Sequence, residues 1–134
     1  MNMKTKMIWA NLAVRDIGRT TKFYTDLGFK PNTQNNDPEL ASFLVGEDEF
    51  VIHFFLEDRF KSGLFGEISD TKKGNEILFS LSAKNKDEVD QWGEKVKKSG
   101  ATIFMEPGAF QKGYMCVFAD PDGHKFNVLY WPGM

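Results

Sequence analysis

Few side chains in this chain can do acid–base or metal chemistry, and their placement narrows the choices. There are two histidines, His53 and His124, and one cysteine, Cys116. His53 lies in the apolar run Phe50–Leu56, where an imidazole is a general base or a metal ligand in waiting. If Glu76 meets it, the carboxylate orients the ring and raises its pKa. The pair could then accept a proton or hold the acidic group of a ligand. The plainer alternative is a polar pair that ties two halves of the molecule together. His124 follows the Asp120-Pro121-Asp122-Gly123 turn and reads as a turn residue. Cys116, between Met115 and Val117, reads as a buried structural thiol.

The elements that must position these groups follow from hydrophobic period and punctuation. Met7–Val14 reads as a strand, and Asp16 as the N-cap of a helix over Ile17–Leu27 ending at Gly28. Phe29–Thr33, Ala41–Val45 and Phe50–Leu56 read as strands, the last two joined by a turn at Gly46–Glu49. Glu76–Ser82 is a further strand. Asn85 followed by Glu88 then caps a helix with Val89, Trp92 and Val96 on one face and Gly100 at its end. Thr102–Met105, Tyr114–Ala119 and Lys125–Trp131 complete the set. Residues 109–112, flanked by Gly108 and Gly113, read as a mobile loop or as an ordinary hairpin connection.

The order is therefore βαβββ twice, a repeat of pattern and not of residue identity. The predicted fold is α+β, one domain of two βαβββ modules, about 5–57 and 75–132, with a connector over 58–74. A short helix is expected near Asp58–Ser62. The connector is either a plain link or a lid or dimer contact.

Strand alternation sorts the side chains onto two faces. One face is almost wholly apolar: Ile8, Ala10, Leu12 and Val14, with Phe50, Ile52, Phe54 and Leu56, in the first module. Ile77, Phe79, Leu81, Phe126, Val128 and Tyr130 play that part in the second. The other parity mixes polar groups with large rings: Trp9, Asn11 and Ala13; Val51, His53 and Phe55; Glu76, Leu78, Ser80 and Ser82; Lys125, Asn127, Leu129 and Trp131. A concave face of that composition is what a small-molecule site looks like. Tyr114 is a further candidate for its wall.

Composition excludes several classes. Seventeen Lys and Arg against 19 Asp and Glu give a net charge of −2. With no basic run, nucleic acid is disfavoured as a partner. The apolar run Met7–Val14 is too short to span a membrane, and it is not read as a signal peptide. One cysteine excludes an intrachain disulfide and points to a reducing, cytoplasmic setting. Thirteen Phe, three Trp and three Tyr imply an aromatic core or a ring-lined pocket.

The segments Asn11–Asp16, Phe23-Tyr24-Thr25-Asp26-Leu27-Gly28-Phe29 and Phe118–Phe126, with the doubled βαβββ plan, resemble the vicinal oxygen chelate superfamily. That family includes glyoxalase I, extradiol dioxygenases and the fosfomycin- and bleomycin-resistance proteins. The resemblance implies a curled mixed sheet around a cavity and a homodimer. It also implies a divalent ion (Zn, Ni, Mn or Fe) held by four positions, which fall here at Trp9, His53, Glu76 and Asn127. Indole offers a metal no lone pair and an Asn carbonyl is a weak ligand, so His53 and Glu76 are the remaining metal or catalytic candidates. The favoured expectation is no cofactor and a degenerate metal site.

The cavity is then expected to bind a small aromatic or antibiotic-like molecule through Trp9, Asn11, Phe55, Leu78, Tyr114, Asn127 and Trp131. A cationic ligand would suit a slightly acidic protein. The alternatives are a metal-dependent lyase of glyoxalase I type, or a dioxygenase-like enzyme, using His53 and Glu76, and a structural or regulatory dimer.

Overall fold

A computed structural model describes residues 2–32 and 37–133. The chain divides into two compact units, Met1–Ile68 and Ser69–Met134. Each holds one four-stranded mixed sheet.

In the first unit the order is β1 (Ala10–Val14), α1 (Ile17–Asp26), β2 (Lys30–Pro31), β3 (Leu40–Val45), β4 (Phe50–Leu56) and α2 (Glu57–Leu64). The sheet runs β1-β4-β3-β2, with β1 parallel to β4 and the other pairs antiparallel. Asp16 caps α1, its carboxylate accepting from Arg19 N–H at 3.0 Å. Gly28, at φ 92°, takes the left-handed turn that ends the helix. Phe23, Tyr24 and Thr20 of α1 are buried with Leu12, Val14, Phe43, Ile52 and Phe54 of the sheet. At the centre, Tyr24 stacks on Phe54 with ring centroids 4.5 Å apart. The predicted strand Phe29–Thr33 shrinks to Lys30–Pro31, and Thr33 lies outside the described residues. The first strand is shorter than expected. Met7, Ile8 and Trp9 precede it, and Ile8 is 79% exposed, so it does not join the core its parity assigned it to.

In the second unit the order is β5 (Leu78–Ser82), α3 (Lys86–Ser99), β6 (Thr102–Phe110), β7 (Gly113–Ala119) and β8 (Lys125–Tyr130). The sheet runs β5-β8-β7-β6, with β5 parallel to β8, repeating the plan of the first. Asn85 caps α3 by accepting from Glu88 N–H at 2.8 Å, and Gly100 ends it at φ 80°. Phe79, Phe118 and Phe126 form a run of stacked rings beneath the helix face of Val89 and Val96. Residues 109–112 are not a mobile loop. Ala109 and Phe110 belong to β6, which pairs through Phe110↔Gly113, leaving Gln111-Lys112 as a two-residue hairpin turn with Gln111 at φ 52°.

The packing of α3 on β6 depends on a missing side chain. A Cβ at Gly93 would stand 2.5 Å from Pro107 Cγ, so glycine is what lets the helix come down on the strand. In an isolated helix, Ala in place of Gly gains about 1 kcal/mol. Here the overlap with a ring that cannot swing aside outweighs it. Gly93→Ala should lower unfolding stability by roughly 1–3 kcal/mol in a urea titration. A stabilised variant would contradict this packing.

Candidate functional site

The β1–β4–β3 register builds the first unit's site one row at a time. Asn11 pairs with His53, and His53 with Ser42, so the three share one face of the sheet. The next row on that face is Ala13 and Phe55. Trp9, one residue ahead of β1, meets His53 edge-on with ring centroids 6.3 Å apart. Phe55 meets the imidazole edge-on from the other side at 5.7 Å. The helix-covered core lies under the opposite parity, so nothing forces these rings inward except a cavity of their own.

That cavity is present. A pocket of about 600 Å³ is walled on the sheet side by Trp9, Asn11, His53 and Phe55. Its other wall comes from α2: Arg59, Phe60, Ser62, Gly63 and Leu64. The short helix expected near Asp58–Ser62 is present and spans Glu57–Leu64, and it acts as the pocket's cover. Arg59 was not foreseen as a site residue. Its Nη1 donates to Asp37 Oδ2 at 2.6 Å and lies 3.8 Å from Glu39 Oε1, while its guanidinium sits 5.4 Å over the Phe55 ring. The Asp37 carboxyl is held below the usual range, first by the Glu39 backbone N–H it accepts from and then by Arg59.

His53 is in an unusual electrostatic position. Its Nδ1 is buried and has no hydrogen-bond partner. Burial pushes the imidazole pKa down from its ordinary value, because charging the ring in an apolar wall would leave an N–H unsatisfied. The direction is opposite to the rise expected from a carboxylate partner.

The remaining predicted residues belong to the second unit. Glu76 is exposed and lies two residues ahead of β5, and Leu78 opens that strand, 53% exposed. Asn127 is buried; its Nδ2 lies 3.7 Å from Met115 Sδ, and its Oδ1 has no partner. Trp131 follows β8 and packs its ring where a Cβ on Gly113 would be. Tyr114 does not share the face of Asn127. Val117 is the β7 residue paired with Asn127, and Tyr114 has the other parity. Its hydroxyl donates to Asp90 of α3 at 2.7 Å, which places the ring on the helix side of the sheet. Cys116 is buried, and burial raises its thiol pKa, so it is poorly suited to act as a nucleophile.

The donor set does not fit the divalent ion the family resemblance implies. Trp9 can only donate, and Asn127 turns its amide nitrogen to a thioether. Among the described residues no three His, Cys, Asp or Glu side chains gather as a metal centre requires. No helix among them is long and apolar enough to cross a membrane.

The depressed His53 pKa gives a signed prediction. The unfolded ring takes its proton near 6.5 and the native ring only at lower pH. The stability held by the neutral native ring is therefore complete above 6.5 and is lost as pH falls from there through the native value. An NMR titration of the imidazole should give a midpoint below 6.5, and His53→Gln should flatten the acid limb of the stability curve. A midpoint at or above 6.5 would contradict the burial of Nδ1.

Comparison with known proteins agrees with this architecture. The family model described as Glyoxalase/Bleomycin resistance protein/Dioxygenase superfamily matches residues 6–128. A probable chloroplastic lactoylglutathione lyase of Arabidopsis thaliana is 31% identical over 133 residues, covering 96% of this chain and 36% of that protein. The chain thus spans about a third of that relative's length. A hypothetical protein from S. aureus superimposes with a TM-score of 0.85 at 30% identity, covering 96% of this chain and 95% of the other. A glyoxalase-related enzyme from Fulvimarina pelagi has the same fold, with a TM-score of 0.81 at 18% identity over 96% and 90% of the two chains. With two βαβββ units of this topology and a family match over nearly its whole length, the chain belongs to the Glyoxalase/Bleomycin resistance protein/Dioxygenase superfamily.

Proposed function

We propose that the protein binds a small, flat aromatic molecule in the pocket between the first sheet and α2, without a metal centre. The observation that carries this reading is Trp9. It stands where the family resemblance puts a metal ligand, and it contributes a half-exposed indole to the pocket wall. With Phe55 and Phe60 it supplies rings for stacking, and the volume of about 600 Å³ suits a ligand of two or three fused rings. Asn11, His53 and Ser62 supply the few polar groups that orient such a ligand.

A lyase of glyoxalase I type is the second reading, favoured by the likeness to the Arabidopsis protein. It needs an ion on His53 and Glu76. His53 supports that role poorly, since its buried Nδ1 lacks the hydrogen-bond partner that orients a metal-bound imidazole, and among the described residues no three His, Cys, Asp or Glu side chains gather.

The test is calorimetric titration of the chelator-treated protein with three bicyclic probes of one shape: 2-naphthamide, 2-naphthoate and 2-naphthylmethylammonium. We expect saturable binding of at least one, weakened roughly tenfold by Trp9→Ala as stacking and contact area are lost. Binding that appears only after Zn or Ni is added would favour the lyase. Failure of all three probes at millimolar concentration would overturn the binding reading.

A further inference from the structure

From the chemistry of the pocket's polar wall we infer that the ligand is an anion, an aromatic molecule bearing a carboxylate or similar acceptor group that Arg59 and His53 bind together. This rests on the binding reading above and adds the ligand's charge to it.

Among the described residues that line the pocket, none is Asp or Glu, and Arg59 is the one that carries a fixed charge. A cationic ligand would face a guanidinium with no carboxylate on the wall to receive it. This reverses the expectation drawn from the net charge of −2, because a pocket selects on its local groups and not on the sum over the chain.

Arg59 is held ready for the task. Asp37 and Glu39 approach Nη1, and neither lines the pocket. A guanidinium has five N–H donors in a fixed fork, so an anchor at Nη1 leaves donors for a second partner. Phe55 beneath the guanidinium fixes its plane. The two carboxylates more than offset the guanidinium's single positive charge, so what the ligand meets is a positioned donor fork and not a bare cation.

His53 completes the pair through its tautomer. Nδ1 is buried without a partner. An unpaired lone pair costs less in that setting than an unpaired N–H, since orphaned donors are the rarer and dearer defect. The proton therefore rests on Nε2, which makes His53 a donor to the ligand and not an acceptor. Arg59 and His53 both present N–H groups, and the Asn11 amide can do the same, while Ser62 donates its hydroxyl proton to the Arg59 carbonyl oxygen at 2.7 Å. A ligand group rich in acceptors is the one that satisfies them all.

The same three probes test this without further assumptions. Wild type should bind 2-naphthoate about tenfold more tightly than 2-naphthamide, and bind 2-naphthylmethylammonium weakest, the margin expected for one charge-assisted contact on a half-exposed arginine. Arg59→Gln should erase the preference of 2-naphthoate over 2-naphthamide. Arg59→Lys should restore part of it, because charge without the fork is a poorer match. Equal or tighter binding of the amide or the ammonium, or a preference that survives Arg59→Gln, would overturn the inference and leave aromatic binding standing. No binding by any probe would overturn both.

Discussion

The parallel pairing of β1 with β4 sets which side chains can reach a ligand. Asn11 is registered on His53 and Ala13 on Phe55, while Leu12 is registered on Phe54 and Val14 on Leu56. Side chains alternate along a strand, so this register sends one set into the aromatic core under α1 and the other into the pocket under α2. A slip of one residue would bury Asn11 beneath Tyr24 and turn Leu12 into the pocket. The Tyr24–Phe54 stack and the closed core around it hold the register in place. The site inherits its geometry from that packing.

On such a frame, the two faces can evolve separate tasks. The core face is made of interlocking rings and carries the stability. The pocket face gives up some stability to hold polar groups, and His53 Nδ1 shows the cost, since a buried polar atom without a partner is worth about 1–3 kcal/mol of lost solvation. Asn127 Oδ1 carries a similar cost in the second unit. Trp9 brings to this face an indole, which can stack and donate a hydrogen bond but offers a metal no lone pair.

Most of the fold was legible in the sequence because its signals are local. Asp16, Gly28, Asn85 and Gly100 mark helix ends through their own backbone and side-chain chemistry, and each lies where those rules put it. Parity alone brought Asn11, His53 and Phe55 to one face, and Trp9, one residue ahead of the paired strand, joins them in the pocket wall. Arg59 escaped notice because its meaning is long-range: the carboxylate that anchors it lies 22 residues earlier, in a segment with no periodic signal. The connector reads as a plain link or as a lid or dimer contact, and that reading cannot say which wall a helix there would close. Tyr114 shows the opposite failure. In sequence it counts as a candidate for the cavity wall, while its parity with Cys116 and Phe118 already puts it on the helix side. Ile8 failed for another reason, since parity orders side chains only where the strand is paired, and pairing begins at Ala10.

Whether the pocket under α2 receives a ligand with no metal present can be read from amide and side-chain NMR of the chelator-treated protein, with and without saturating 2-naphthoate. Shift changes should concentrate on Trp9, Asn11, His53, Phe55 and the Arg59 guanidinium. Changes that spare these residues, or that arise only once a divalent ion is supplied, would rule out metal-free binding in this pocket.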